Sequence, residues 1–161
     1  MGKRDAAYPG SFDPITNGHV NIVERVSERF NKIYVIVMNN PNKNYLFSLS
    51  ERFEMVKQDF EHLKNVVVDV YDGLLVDYLK KHKIYNLIRG LRAVSDFEYE
   101  LQMAHANKTL LPELEVFFLI ADTKYSFISS SMIKEIAQYG GDVSKWVSNS
   151  VGNKLKEKLL Q

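Results

Sequence analysis

At 161 residues and a net charge of +1, the chain is long enough for one sizeable core, and it has no overall basic field of the kind that marks a nucleic-acid binder. With 45% hydrophobic and 25% charged residues it has the profile of a folded protein, and the absence of cysteine excludes disulfides, thiolate metal sites and cysteine nucleophiles. The start Met1-Gly2-Lys3-Arg4 is followed by no apolar run of signal-peptide length, and no segment reaches the ~20 apolar residues of a membrane span, so cytoplasm is the simplest expectation.

A short strand leads into Tyr8-Pro9-Gly10-Ser11-Phe12-Asp13-Pro14-Ile15-Thr16-Asn17-Gly18-His19, read as a strand-to-helix loop bent and stiffened by its glycines and prolines. It delivers Gly18 and His19 into the first turn of a helix over 17–30, where free amides and the helix dipole attract phosphate. A lone histidine near a helix start is more often structural; here its place in the loop favours an anion.

Apolar β-branched runs predict buried strands at 32–38, 66–71, 85–88 and 115–121. Between them, helical spacing predicts helices at 49–63, 74–82 and 96–110. Ser48 with Glu51, and Ser95 with Glu98, have capping-box spacing. A further helix begins near Ser129 and ends at Gly140, and a short surface helix is expected over 149–160. Strand and helix in alternation imply an α/β fold, doubly wound around a five-stranded parallel sheet, with no repeat or linker to divide the single domain expected over 1–161. Ligands in such folds bind beyond the carboxyl ends of the strands.

Neither GxGxxG nor GxxxxGK[ST] occurs, so classical dinucleotide and P-loop readings lose their main support. Three local clusters remain beside the first loop. Asn40-Pro41-Asn42-Lys43 places a cation after the second strand. Arg89-Gly90-Leu91-Arg92 follows the fourth, with guanidinium forks suited to phosphate, or else salt-bridged to Asp96, Glu98 or Glu100. Phe127-Ile128-Ser129-Ser130-Ser131-Met132-Ile133-Lys134 puts hydroxyls and amides at a helix start, with Lys134 one turn along; simple capping by Ser129 is the plain alternative. His62, His82 and His105 show no metal-ligand spacing, and the charges at 80–83 read as a solvated helix end.

Thr16-x-Gly18-His19 together with the Ile128-to-Ser131 run resembles the bipartite signature of the nucleotidyltransferase superfamily. YPGSFDPITNGH, GLLVDYL, RGLRAVSDFEYELQMAHANKTL and YSFISSSMIKE, in that order at this length, resemble the bacterial phosphopantetheine adenylyltransferases from Tyr8 to the Trp146 region. The resemblance implies a Rossmann-like fold and transfer of the adenylyl group of ATP to 4'-phosphopantetheine, giving dephospho-coenzyme A and pyrophosphate by in-line attack without a covalent intermediate. It implies catalytic roles for His19, Lys43 and Arg92, and acceptor binding by Ser11, Lys43, Leu75 and Arg89. Nucleotide contacts fall on Ser11, Phe12, His19, Gly90, Leu91, Arg92, Glu100 and the run Tyr125, Ser126, Phe127, Ile128, Ser129, Ser130 and Ser131. Many relatives carry threonine at Ser11, some carry methionine at Leu75, and relatives often have tryptophan at Tyr125. The resemblance further implies Mg2+ held mainly through ATP phosphates, with no dedicated protein metal site, a homohexamer, and coenzyme A as an inhibitor. Within the superfamily, nicotinamide mononucleotide adenylyltransferases and glycerol-phosphate cytidylyltransferases share the first motif but not the rest; a catalytically silent nucleotide- or coenzyme A-binding module is the alternative from another class.

Overall fold

The computed structural model describes residues 4–160; most of the charged start at 1–4 lies outside the described residues. Five strands, β1 (Ala6–Gly10), β2 (Ile33–Met38), β3 (Val66–Tyr71), β4 (Asn86–Leu91) and β5 (Glu115–Ile120), form one all-parallel sheet in the order β3-β2-β1-β4-β5. The helices between them are α1 (Asn17–Ser27), α2 (Leu49–Asp59), α3 (Leu75–His82) and α4 (Val94–Leu110), followed by α5 (Ser130–Gln138) and α6 (Asn149–Leu159). Strand order reverses at β1 and β4, so the loops after these two strands flank the crevice where doubly wound folds bind ligands.

The sheet divides two cores. On one face Val23 and Val26 of α1, Met55 and Val56 of α2, Ile133 and Ala137 of α5, and Val151 and Leu155 of α6 pack on Val35, Val37 and Ile88. On the other, Val76 and Leu79 of α3 meet Ala7, Ile36 and Leu87. The last helix is therefore not a surface element: Val151 and Leu155 are fully buried, because its apolar residues recur at a four-residue spacing that turns one stripe inward. The helix α4 is the opposite case. Only Asn107 of it is buried, while Val94, Phe97, Tyr99, Met103 and Leu110 are exposed.

Several boundaries differ from the sequence pattern. Tyr8-Pro9-Gly10 belongs to β1 rather than to the loop, paired with Val35, Ile36 and Val37 of β2. Pro9 has no N–H to give a ladder, and its carbonyl accepts from Arg89 Nη1 at 3.0 Å. The fourth strand runs on through Arg89, Gly90 and Leu91, matched residue by residue to β5. The Ser48–Glu51 capping box forms as expected. Ser95 caps nothing: α4 starts one residue before it, with Ala93 at the cap position and no side-chain cap bond there. Asp96 serves this end instead, its Oδ2 accepting from Arg92 N at 3.1 Å. At the end of α5, Gly140 takes φ 77° and its N–H reaches Ala137 O, while Gly141 N–H reaches Ile136 O, the paired closure expected at that glycine.

Candidate active site

A cleft of about 890 Å³ opens at the carboxyl ends of β1, β2 and β4. On its first side the chain leaves β1 at Ser11 and turns through Phe12, at φ 49°. The Phe12 ring is buried, edge-on to the His19 ring at 5.1 Å. Gly10 admits this ring: a Cβ there would lie 2.9 Å from its Cζ. Thr16 caps α1, and His19 closes the box in the place where glutamate usually stands, with Thr16 N–H donating to His19 Nδ1 at 3.0 Å and His19 N–H to Thr16 Oγ1 at 3.4 Å. A backbone N–H can only donate, so Nδ1 accepts and the proton of the neutral imidazole sits on Nε2. Burial, reinforced by the Arg92 and Arg89 charges, pushes the His19 pKa down to about 4. At neutral pH this is an uncharged N–H donor on the wall of the cleft.

The Ser129-to-Ser131 run lies opposite. Ser129 caps α5 by accepting from Met132 N–H at 3.1 Å, and Ser130 Oγ donates to Pro14 O at 2.7 Å, joining this helix start to the first loop. Two of the three hydroxyls are thus engaged, and capping by Ser129 holds as the plain alternative had it. Lys134 does not face the cleft. It pairs at 2.8 Å with buried Asp13, whose carboxylate also accepts from Leu46 and Phe47 N–H, both at 3.0 Å. The burial of that carboxylate accounts for the lysine: an unpaired buried charge is far costlier than a paired one.

Arg89, within β4, and Arg92, just past it, both reach the cleft, and both are already ion-paired. Arg89 grips Glu100 through Nε and Nη2, each at 2.7 Å. Burial opposes the Arg89 charge, yet the hydrogen bonds and charge of Glu100 raise its pKa above the ordinary value. Arg92 binds Asp96 through Nε at 3.0 Å and Nη2 at 3.1 Å, and its Nη1 reaches Ile128 O at 2.8 Å, tying β4 to the start of α5. The salt-bridged alternative and the cleft position coexist. Lys43 projects from the loop after β2 with Nζ 3.5 Å from Ser11 Oγ, and Leu75 joins Leu74 and Met103 in an apolar stretch of the wall.

The cleft brings together Ser11, His19, Lys43, Leu75, Arg89, Gly90, Arg92, Glu100, Tyr125, Ile128, Ser129, Ser130 and Ser131. Phe12, Leu91, Ser126 and Phe127 do not line it: Phe12 is turned into the core, Ser126 Oγ binds Thr123 O at 2.9 Å, and Phe127 sits edge-on to Trp146. Sequence reasoning missed Asp13 and Arg52. Arg52 carries a legible signal, a charge on the helical face shared with Met55 and Val56. Among the described residues no three His, Asp or Glu side chains cluster to hold a metal ion, and no helix is long and apolar enough to cross a membrane. The donor set of cations, amides and hydroxyls suits a metal that arrives on phosphate oxygens.

A model of the cytidylyltransferase-like family matches residues 7–136, which defines the chain as a nucleotidyltransferase. The solved nicotinic acid mononucleotide adenylyltransferase of Plasmodium falciparum, in complex with NaAD, shares the fold: TM-score 0.70 at 17% identity, covering 98% of this chain and 96% of that one. The chain belongs to the phosphopantetheine adenylyltransferase family. It is 73% identical to the Petrotoga mobilis enzyme of that name over 161 residues, 100% of this chain and 99% of the relative. The Thermotoga neapolitana enzyme is 54% identical, covering 97% of each chain, and the Dictyoglomus turgidum enzyme 52% identical, covering 96% of each.

Proposed function

We propose that this chain, as one domain over 1–161, transfers the adenylyl group of ATP to 4'-phosphopantetheine, yielding dephospho-coenzyme A and pyrophosphate in coenzyme A biosynthesis. The observation that carries the reading is the neutral Nε2–H of His19 in a cleft where Lys43, Arg89 and Arg92 converge. An acceptor phosphate oxygen attacks the α-phosphorus in line; the new P–O bond forms as the bond to pyrophosphate breaks. His19 donates to the α-phosphate oxygens as charge builds on them, a preorganised donor for the transition state. Both reactants are anions, so the protein's work is neutralisation and positioning rather than nucleophilic catalysis.

Lys43 and Arg89 hold the acceptor phosphate, beside Ser11, with Leu75 against the pantetheine arm. Ser11, Gly90, Arg92, Glu100, Tyr125 and the run 128–131 serve the nucleotide, with Lys43 and Arg92 also countering charge during transfer. Magnesium bound to the triphosphate supplies charge neutralisation there. The same reading places the enzyme in the cytoplasm and makes it a homohexamer inhibited by coenzyme A; the exposed apolar side chains of α4, with Phe117 and Ile120 of β5, support an association surface.

The test is pyrophosphate release from ATP with 4'-phosphopantetheine, with nicotinamide mononucleotide or with no acceptor, and with CTP in place of ATP. Release with ATP and 4'-phosphopantetheine alone is expected. Preference for another acceptor or for CTP would move the chain to a different branch of the superfamily, and binding without turnover would make it a silent module.

A further inference from the structure

Arg52 heads the fully buried side chains by size, is 1% exposed, and has no part in the roles above. It lies in the first turn of α2, on the stripe that also carries Met55 and Val56 into the core. A guanidinium in such a place is costly unless its donors are used. Both terminal nitrogens are used, while Nε is buried without a partner: Nη1 donates to Ser11 O at 2.7 Å and to Met38 O at 2.9 Å, and Nη2 donates to Asn39 Oδ1 at 3.1 Å.

These acceptors share one location. The ladder between β1 and β2 ends at Gly10 and Val37, and Ser11 and Met38 are the next residues on each strand. Arg52 therefore continues the pairing one step past the point where the backbone stops. Its guanidinium carbon also lies 3.8 Å from the centre of the Tyr45 ring, and the Tyr45 hydroxyl accepts from Asn40 N–H at 2.9 Å. Asn40 O in turn accepts from Lys43 N–H at 3.0 Å. One buried fork thus spans Ser11, the strand β2 and the loop that carries Lys43, whose Nζ ends 3.5 Å from Ser11 Oγ.

We propose that Arg52 is a positioning residue for the acceptor phosphate, acting through Ser11 and, by way of Asn39 and Tyr45, through Lys43. It touches no substrate. A lysine keeps the charge but is a single point and cannot bridge two carbonyls and an amide with the planar fork. Arg92 and the start of α5 lie outside this network, and Ser11 alone of the nucleotide contacts belongs to it, so the nucleotide side is disturbed much less than the acceptor side. The assignment rests on the adenylyl-transfer reading.

The test compares wild type, Arg52→Lys, Arg52→Met and Tyr45→Phe for KM toward 4'-phosphopantetheine, KM toward ATP, kcat and Tm. Misplacing a binding group by a fraction of an ångström to 1 Å costs on the order of 10- to 100-fold, so Arg52→Lys should raise the acceptor KM about 10-fold and leave the ATP KM within about 2-fold. Arg52→Met strands two carbonyls and should also lower Tm. Tyr45→Phe keeps the ring against Arg52 and removes the hydroxyl that accepts from Asn40 N–H and supports the Arg52 charge. It should raise the acceptor KM about 3-fold at unchanged Tm, a loss near 1 hydrogen bond, and it decides the question if the Arg52 variants do not fold. Equal rises in both KM values, a lower Tm with both unchanged, or a Tyr45→Phe enzyme with wild-type acceptor KM would overturn the assignment. A wild-type protein that releases no pyrophosphate with 4'-phosphopantetheine would sink the functional reading, and this assignment with it; normal wild-type turnover beside a wild-type-like Arg52→Lys sinks this assignment alone.

Discussion

On the α1 side of the cleft the principal donor is neutral and fixed by local structure, whereas on the α4 side the donors are charged and already answered by carboxylates. His19 is oriented by Thr16 three residues away, which leaves Nε2–H as its donor on the cleft wall. Arg89 and Arg92 are gripped by Glu100 and Asp96, so an arriving phosphate competes with, or shares, an existing ion pair. A preorganised donor contributes to the transition state without reorganisation. A latched cation contributes to binding less than a free one would, but it stays ordered and does not repel its neighbour. On the proposed function the site separates chemistry from capture, and the expected effects of substitution separate in the same way.

The largest effect belongs to the neutral side. His19→Ala should lower kcat by about 100-fold or more, as removal of one transition-state donor does, with KM values little changed and the fold retained. Steady-state pyrophosphate release and circular dichroism check this; unchanged turnover would erase the contrast. Next come the latched arginines. Arg89→Ala should raise the acceptor KM by about 10- to 100-fold, the cost of removing one partner of a buried charged pair, and Arg92→Ala should act on ATP instead. Equal effects on both substrates would show that the α4 side does not divide the ligands as proposed.

A smaller effect tests whether the latch also supports α4. Asp96 accepts from Arg92 N–H at the start of that helix, and Ser95 does not cap it. Asp96→Ala should cost about 1 kcal/mol, the worth of a helix-start bond, and Ser95→Ala less than about 0.5 kcal/mol in denaturant unfolding. The reverse order would restore the capping box at Ser95.

What could be read from the sequence follows from the range of the interaction involved. The β-branched runs, the Ser48–Glu51 box and the glycine stop after α5 are local patterns, and the structure reproduces them. The convergence of Ser11, His19, Lys43, Arg89 and Arg92 was legible because parallel strands must present their carboxyl ends together. Partners of buried charges were not legible, because they lie far apart in the chain: Lys134 reads as a phosphate ligand until Asp13, 121 residues away, is seen to need it. Phe12 reads as a loop residue until its ring is found beneath Gly10 and His19. The box at Thr16 escaped because histidine stands where the pattern calls for glutamate or glutamine.

The smallest expected effect is an absent one, and it bears on the neutral donor most directly. An unperturbed histidine titrates near 6.5, and His19 near 4. The kcat/KM profile, which reports the free enzyme, should therefore show no His19 limb between pH 8 and about 5. Stability must respond differently. As pH falls below 6.5 the unfolded chain takes up a proton that folded His19 refuses, so its contribution is zero above 6.5 and increasingly destabilising down to about 4. NMR of the imidazole nitrogens should find the proton on Nε2 across the upper range. A limb near 6.5 that disappears in His19→Gln would mean that the imidazolium takes part, and the division between a neutral donor and charged capture would fail.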